Sequence, residues 1–179
     1  MTGLTSNTHV HAREFVLGRI MRATVLTGAA ETDGRFDLVE SRRPPGAMTP
    51  LHLHRRCEER FWVASGELAV WAGDTHQVLR SGDYLNVPMG VPHTVRAGDE
   101  GCHALTITSP AGFAELVARV GTAAAVADDA TELDVELLAR VSAELGDVLL
   151  GEPGALPADL SAGALEGAVE QANGRGAPA

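Results

Sequence analysis

GAMTPLHLHRRCEERFWVASG, residues 46–66, places two imidazoles and a carboxylate within reach of one another. His52 and His54 are two apart in a segment able to be extended, and side chains two apart on a strand share a face. The polar run Arg55-Arg56-Cys57-Glu58 reads as a turn. Beyond it, Glu59, Phe61 and Val63 alternate on one face of a second strand. Two imidazoles and a carboxylate converging from adjacent strands suit a borderline or hard divalent ion.

A fourth ligand lies downstream. Residues 82–93 read GDYLNVPMGVPH. Gly82-Asp83 turns the chain, residues 84–87 form a short strand, and Pro88, Gly90 and Pro92 force a tight bend. His93 then opens a strand over residues 94–97, whose Val95 joins the expected pocket. Rigid turns around His93 hold its ring in place and lower the ordering cost of the site.

Together these stretches resemble the two motifs of the cupin superfamily. The first is glycine, five residues, His-x-His, three or four residues, Glu, six residues, glycine; Gly46, His52, His54, Glu59 and Gly66 meet it. Taking Glu58 instead would leave seven residues before Gly66, so Glu59 is the ligand. The second is glycine, five residues, Pro-x-Gly, two residues, His, three residues, Asn; Gly82, Pro88, Gly90 and His93 match. Ala97 stands at the Asn position, which is not a ligand in the family. The resemblance covers roughly residues 15 to 120 and is strongest toward the small, single-domain quercetin-dioxygenase-like cupins. It implies an all-β fold, a double-stranded β-helix (jelly-roll) barrel, with metal ligands His52, His54, Glu59 and His93. A homodimer is also implied, since related small cupins commonly dimerise. His-x-His alone is often a polar pair on a wet face: His9 and His11 repeat the spacing with no carboxylate to match.

A chain of 179 residues, 45% hydrophobic and 21% charged, suits one domain with a sizeable core plus an appendage. Its net charge of −10 argues against nucleic acid and anionic membrane as partners. Cys57 and Cys102 make no disulfide framework, which points to a reducing cytoplasm. The opening residues carry no apolar signal-peptide core, and no stretch is long and apolar enough to span a bilayer. The expectation is a soluble cytoplasmic protein with a small-molecule substrate.

Residues 1–13 read as a flexible segment and 14–110 as the barrel. Strands are expected over 15–17 and 19–27, then a loop over 28–34. Residues 35–41 alternate, with Phe36, Leu38 and Glu40 on one face and Asp37 and Val39 on the other. If the Phe36 face enters the barrel, Phe36, Leu38 and Glu40 join Phe61, Val63 and Val95 as pocket residues. The alternative puts Glu40 at the rim, paired with Arg42 or Arg43. A hairpin turns at Gly73-Asp74, with His76 solvated beside it. A further turn over 97–101 precedes a last strand over 102–108, in which His103 reads as a satisfied strand histidine.

At Ser109-Pro110 the period changes, with Ser109 able to cap a helix carrying Phe113, Leu116, Val117 and Val120. Thr131 opens a second helix with Leu133, Val135, Leu137, Leu138 and Val141 on an apolar stripe, and Gly146 and Gly151 close that region. Residues 111–153 thus form a helical C-terminal extension, whose Leu150-Gly151-Glu152-Pro153 is similar to the ending of related small cupins. Residues 154–179 read as a low-complexity disordered tail, with a weak helix over 160–171.

Four protein ligands leave two open positions on an octahedral ion. A divalent metal ion such as Fe2+, Ni2+, Mn2+ or Zn2+ accepts this ligand set. Phe61 and Val63 make the pocket apolar, suited to a flat organic substrate. Cys57 reads as an inert bystander. Three functions remain open. The resemblance most directly implies a dioxygenase acting on a flavonol-like, enol or catechol-like molecule, with Glu59 as both ligand and catalytic proton acceptor. A non-redox cyclase or isomerase of secondary metabolism would use the metal as a Lewis acid. A non-catalytic ligand-binding barrel would bind without turnover. Trp62, opposite in parity to Glu59, either meets a second subunit or packs beneath the chain's own tail.

Overall fold

A computed structural model describes residues 13–161. His9 and His11, most of the expected flexible N-terminal segment and nearly all of the weak helix over 160–171 lie outside the described residues. The elements run β1 (Glu14–Leu17), β2 (Met21–Thr27), the one-turn helix α1 (Ala29–Thr32), β3 (Asp37–Arg43), β4 (Pro50–His54) and β5 (Glu58–Ala72). They continue with β6 (Thr75–Arg80), β7 (Tyr84–Val87), β8 (His93–Ser109), α2 (Phe113–Val120), β9 (Thr122–Ala123), α3 (Val135–Leu145) and β10 (Asp147–Pro153).

The strands form an antiparallel jelly roll, and β5 and β8 are its spine. Each was expected as two shorter strands; each instead runs unbroken through a bend. The register passes from Val63↔Ala104 and Gly66↔Cys102 to Leu68↔Ala97, so the chain between Ala97 and Cys102 bulges out. Gly66 makes the bend possible. Its φ is +77°, and a Cβ there would lie 2.3 Å from the Gly101 carbonyl oxygen. Before the bend β5 also pairs β7, and after it β6. The two long strands are therefore the branch point of the sheet: β5 pairs β6, β7 and β8, and β8 pairs β3, β4 and β5. The hydrogen-bonded path β10-β4-β8-β3-β2-β1-β9 stays open rather than closing into a ring.

Phe61, Val63, Leu68, Val70, Val87 and Val95 fill the interior. Each such side chain contributes about 1.5–3 kcal/mol through burial, enough in sum to fix the register against a one-residue slip. α2 lays Ala114 and Val117 on Leu17, Met21, Ala23, Val25 and Val39. α3 then packs Leu138 and Val141 on Leu116 and Val120 of α2. The two helices thereby cover one end of the roll.

Three local expectations are corrected. Ser109 does not cap α2, because its hydroxyl donates to the Arg35 carbonyl at 2.8 Å. Buried Asp37 of β3 caps it instead, accepting from the amides of Gly112 and Ala114 at 2.8 and 2.9 Å. The helix expected at Thr131 begins at Val135, where Asp134 accepts from the Leu137 amide at 2.8 Å. Gly146 does close it, in the left-handed conformation at φ 94°. The extension is not helical throughout either: Asp147–Pro153 is the strand β10, paired with β4. No described helix is long and apolar enough to cross a membrane.

Candidate metal centre

Alternation along β4 buries Leu51 and Leu53 on one side and turns His52 and His54 to the other. His52 stands directly opposite His93 of β8. The turn after His54 brings the chain back along β5, so Glu59 faces the same point. One ligand atom from each of His52, His54, Glu59 and His93 lies within 4.8 Å of the others. The ring centroids are 4.3 Å apart for His52–His93, 4.9 Å for His52–His54 and 5.1 Å for His54–His93. Glu59 Oε2 lies 2.9 Å from His93 Nε2 and 3.3 Å from His54 Nε2.

Each imidazole is held from behind. His52 Nδ1 donates to the Pro50 carbonyl at 2.8 Å, and His93 Nδ1 to the Val91 carbonyl at 2.9 Å. His54 Nδ1 donates to Asp147 Oδ1 at 2.7 Å. With the proton fixed on Nδ1, Nε2 is left to face the cluster, which is the arrangement a metal-binding histidine needs. Asp147 comes from β10, opposite His54 in register. Nothing local in the sequence marks it, because its partner is 93 positions away.

The electrostatics follow from this packing. Burial disfavours a charged His54, but hydrogen bonds to Asp147 and Glu59 outweigh burial and push its pKa up to about 10. Glu59 is also buried, yet hydrogen bonds to His54 and His93 hold it well below the usual carboxylate range. His52 is held neutral, first by burial and then by repulsion from His93 and His54. Without metal, the cluster is an imidazolium–carboxylate pair beside neutral imidazole.

The donor set fits a divalent ion. His52, His54, Glu59 and His93, with donor atoms within 4.8 Å of one another, would hold such an ion. Three imidazole nitrogens and one carboxylate oxygen suit iron, nickel, manganese or zinc. Cys57 takes no part: burial, then the negative charges of Asp147, Glu59 and Asp37, push its thiol upward and keep it protonated.

A narrow cavity of about 70 Å³ opens on the cluster. It has room for a few waters or a small organic molecule. Phe61 and Val95 line it, while α2 closes it with Phe113 and Leu116, α3 with Leu138, and the segment before α3 with Leu133. Val63 lies in the core below, fully buried.

The expectation for β3 is corrected. Its buried row is Asp37, Val39, Ser41 and Arg43, so Phe36, Leu38 and Glu40 lie outside the cavity. Phe36 is 39% exposed. Glu40 accepts from Arg42 at 2.9 Å and meets His103 Nε2 at 2.7 Å, which matches the rim alternative. The polar inner row has its own reasons: Asp37 caps α2, Ser41 donates to the Ala104 carbonyl, and Arg43 lines the cavity. A hydrophobic-periodicity reading has no means of finding such a row.

The cupin domain family matches residues 39–108, which hold all four clustered side chains and both motifs. Residues 39–108 are a cupin domain. This cupin is 30% identical over 107 residues to quercetin 2,3-dioxygenase of Bacillus subtilis, across 60% of its own length and 32% of that protein's. It is 36% identical over 76 residues to quercetin 2,3-dioxygenase of Aspergillus japonicus, across 40% of its own length and 22% of that protein's. It thus spans about a third or less of the curated relatives it matches. Among solved structures, the polyketide cyclase RemF from Streptomyces resistomycificus superposes with a TM-score of 0.50 at 22% identity, over 62% of this chain and 80% of that one. At that identity the likeness is one of fold.

Proposed function

We propose that this cupin is a metal-dependent dioxygenase acting on a flavonol-like, enol or catechol-like small molecule. The observation that carries the reading is the convergence of His52, His54, Glu59 and His93, with ligand atoms within 4.8 Å in a largely apolar cavity. Similarity to two quercetin 2,3-dioxygenases supports it. When bound, a divalent iron, nickel or manganese ion would supply open positions for a chelating substrate and dioxygen.

The chain's own residues do the rest. His52, His54, Glu59 and His93 hold the ion, while Asp147 and the carbonyls of Pro50 and Val91 fix the ring orientations. Glu59, as a buried carboxylate already sharing protons with two imidazoles, accepts the enol proton of the substrate. Phe61, Val95 and the helix side chains exclude water. The same proton relay supports a second reading, a non-redox isomerase or cyclase, since it needs no oxygen. We also propose a cytoplasmic homodimer. The free thiols of Cys57 and Cys102 support the compartment, and the exposed cross-strand pair Trp62 and Tyr84 supports the interface.

The test is metal analysis of wild type, His54→Ala and Glu59→Ala, followed by oxygen uptake with flavonols and smaller enols. About one iron, nickel or manganese per chain, lost in His54→Ala, with oxygen consumed, is expected. Tightly held zinc with no oxygen uptake would favour the non-redox reading. No metal even after loading would sink both.

A further inference from the structure

Arg43 ends β3 on its buried row, with 5% of its surface exposed. It lines the same cavity as His52, His54 and Glu59. Its Nε has no hydrogen-bond partner, and its guanidinium enters no ion pair among the described residues. Burial opposes its charge, while Glu59 and Cys102 favour it electrostatically without a hydrogen bond. Arginine stays protonated, so the cavity wall carries a positive charge whose Nε donor is unfilled. Burying such a charge without a partner opposes folding. Its neighbours on β3, Asp37 and Ser41, are by contrast satisfied within the protein.

The surroundings point to what completes it. A divalent ion at the cluster brings two positive charges and Arg43 a third, against the carboxylates of Glu59 and Asp147. One further negative charge would make the cavity neutral. A guanidinium fork matches two coplanar oxygens, as in a carboxylate. Arg43 also borders a wider outer groove shared by Arg19, Arg22 and Arg42, with Asp128 and Asp129 on its wall.

We propose that Arg43 anchors the substrate, and that the substrate is a small molecule bearing one carboxylate, held by Arg43 while its reactive end faces the His52-His54-Glu59-His93 cluster. This rests on the proposed function only for what the reactive end meets. It narrows the substrate class from a neutral flavonol to a small carboxylic acid.

The experiment compares acetate with acetamide and benzoate with benzamide, by calorimetry and thermal shift. Metal-free and nickel-loaded protein are used, as wild type, Arg43→Met and Arg43→Lys. In wild type at least one acid should bind about 30-fold or more tighter than its amide, the loss expected when one partner of a buried charge pair is missing. Arg43→Met should abolish that preference while raising the Tm of the ligand-free protein, because the unpaired charge is gone. Arg43→Lys should keep part of the preference, having the charge without the fork. If Arg43→Met does not fold, Arg43→Gln reads the same difference. No acid preference in wild type, or one that survives in folded Arg43→Met, overturns the proposal. Acid preference without metal uptake would sink the metal-enzyme reading and leave Arg43 standing. Metal uptake without acid preference would do the reverse.

Discussion

Asp147 Oδ1 accepts the hydrogen bond of His54 Nδ1 at 2.7 Å, from a strand well beyond the cupin match that ends at residue 108. The C-terminal extension is therefore part of the candidate metal site. Outer partners of this kind fix the tautomer and aim of the ligand ring, and losing one weakens metal binding by about 10–100-fold. Asp147→Ala should show a loss of that size in competition with a chelator of known affinity. Asp147→Asn, which keeps an acceptor oxygen, should lose less. Equal affinity in all three proteins would mean that Glu59 alone orients His54.

The same pair gives the metal-free protein a defined pH dependence. Glu59 is depressed in the folded state, so its contribution is present above its unfolded value of about 4.3 and is lost as pH falls through the folded value. His54 is raised to about 10, so its contribution is complete below its unfolded value of about 6.5 and is lost as pH rises through 10. The cluster should therefore stabilise most between roughly pH 4.5 and 6.5. The Tm difference between wild type and His54→Ala, followed against pH without metal, should peak there and shrink on the alkaline side. Metal binding must displace the proton on His54 Nε2. Apparent affinity should then rise about tenfold per pH unit between 7 and 9.

How much of this was legible depends on how local each signal was. His52, His54, Glu59 and His93 carry fixed offsets and glycine or proline turns, and the structure brings all four together. The hairpin at Gly73-Asp74 is equally local and is found as expected. Arg43 was hidden because the row that faces inward on β3 is polar, each member having a task that hydrophobicity does not record. Asp147 was hidden because only the pairing of β10 with β4 brings it to His54. The bends at Gly66 and Gly101 looked like strand ends, since a glycine that permits a sharp bend also ends many strands.

Trp62 and Tyr84 are cross-strand partners on the outer face, 41% and 56% exposed. Two adjacent aromatic rings left in water suit an interface between copies, where such side chains contribute most. Trp62→Glu should convert the proposed dimer to monomer by sedimentation or light scattering, and its exposure predicts little change in monomer fold. A wild type that sediments as a monomer, or a dimer unaffected by Trp62→Glu, would remove this face from the interface.

Asp37 joins the roll to the helices that roof the cavity. Its carboxylate is fully buried, accepts from the amides of Gly112 and Ala114, and accepts the Thr108 hydroxyl. Asp37→Ala leaves three donors without partners in a dry setting and removes the cap of α2. At about 1 kcal/mol or more for each unmet donor, the loss should reach roughly 3 kcal/mol. Denaturant unfolding monitored by far-ultraviolet circular dichroism measures it directly. Because α2 supplies Phe113 and Leu116 to the cavity, the variant should also expose the cluster to water. Hydrogen exchange should then rise first in residues 112–120 and leave β5 and β8 protected. Uniform loss of protection across the roll would show that Asp37 supports the whole fold rather than the seating of the helix.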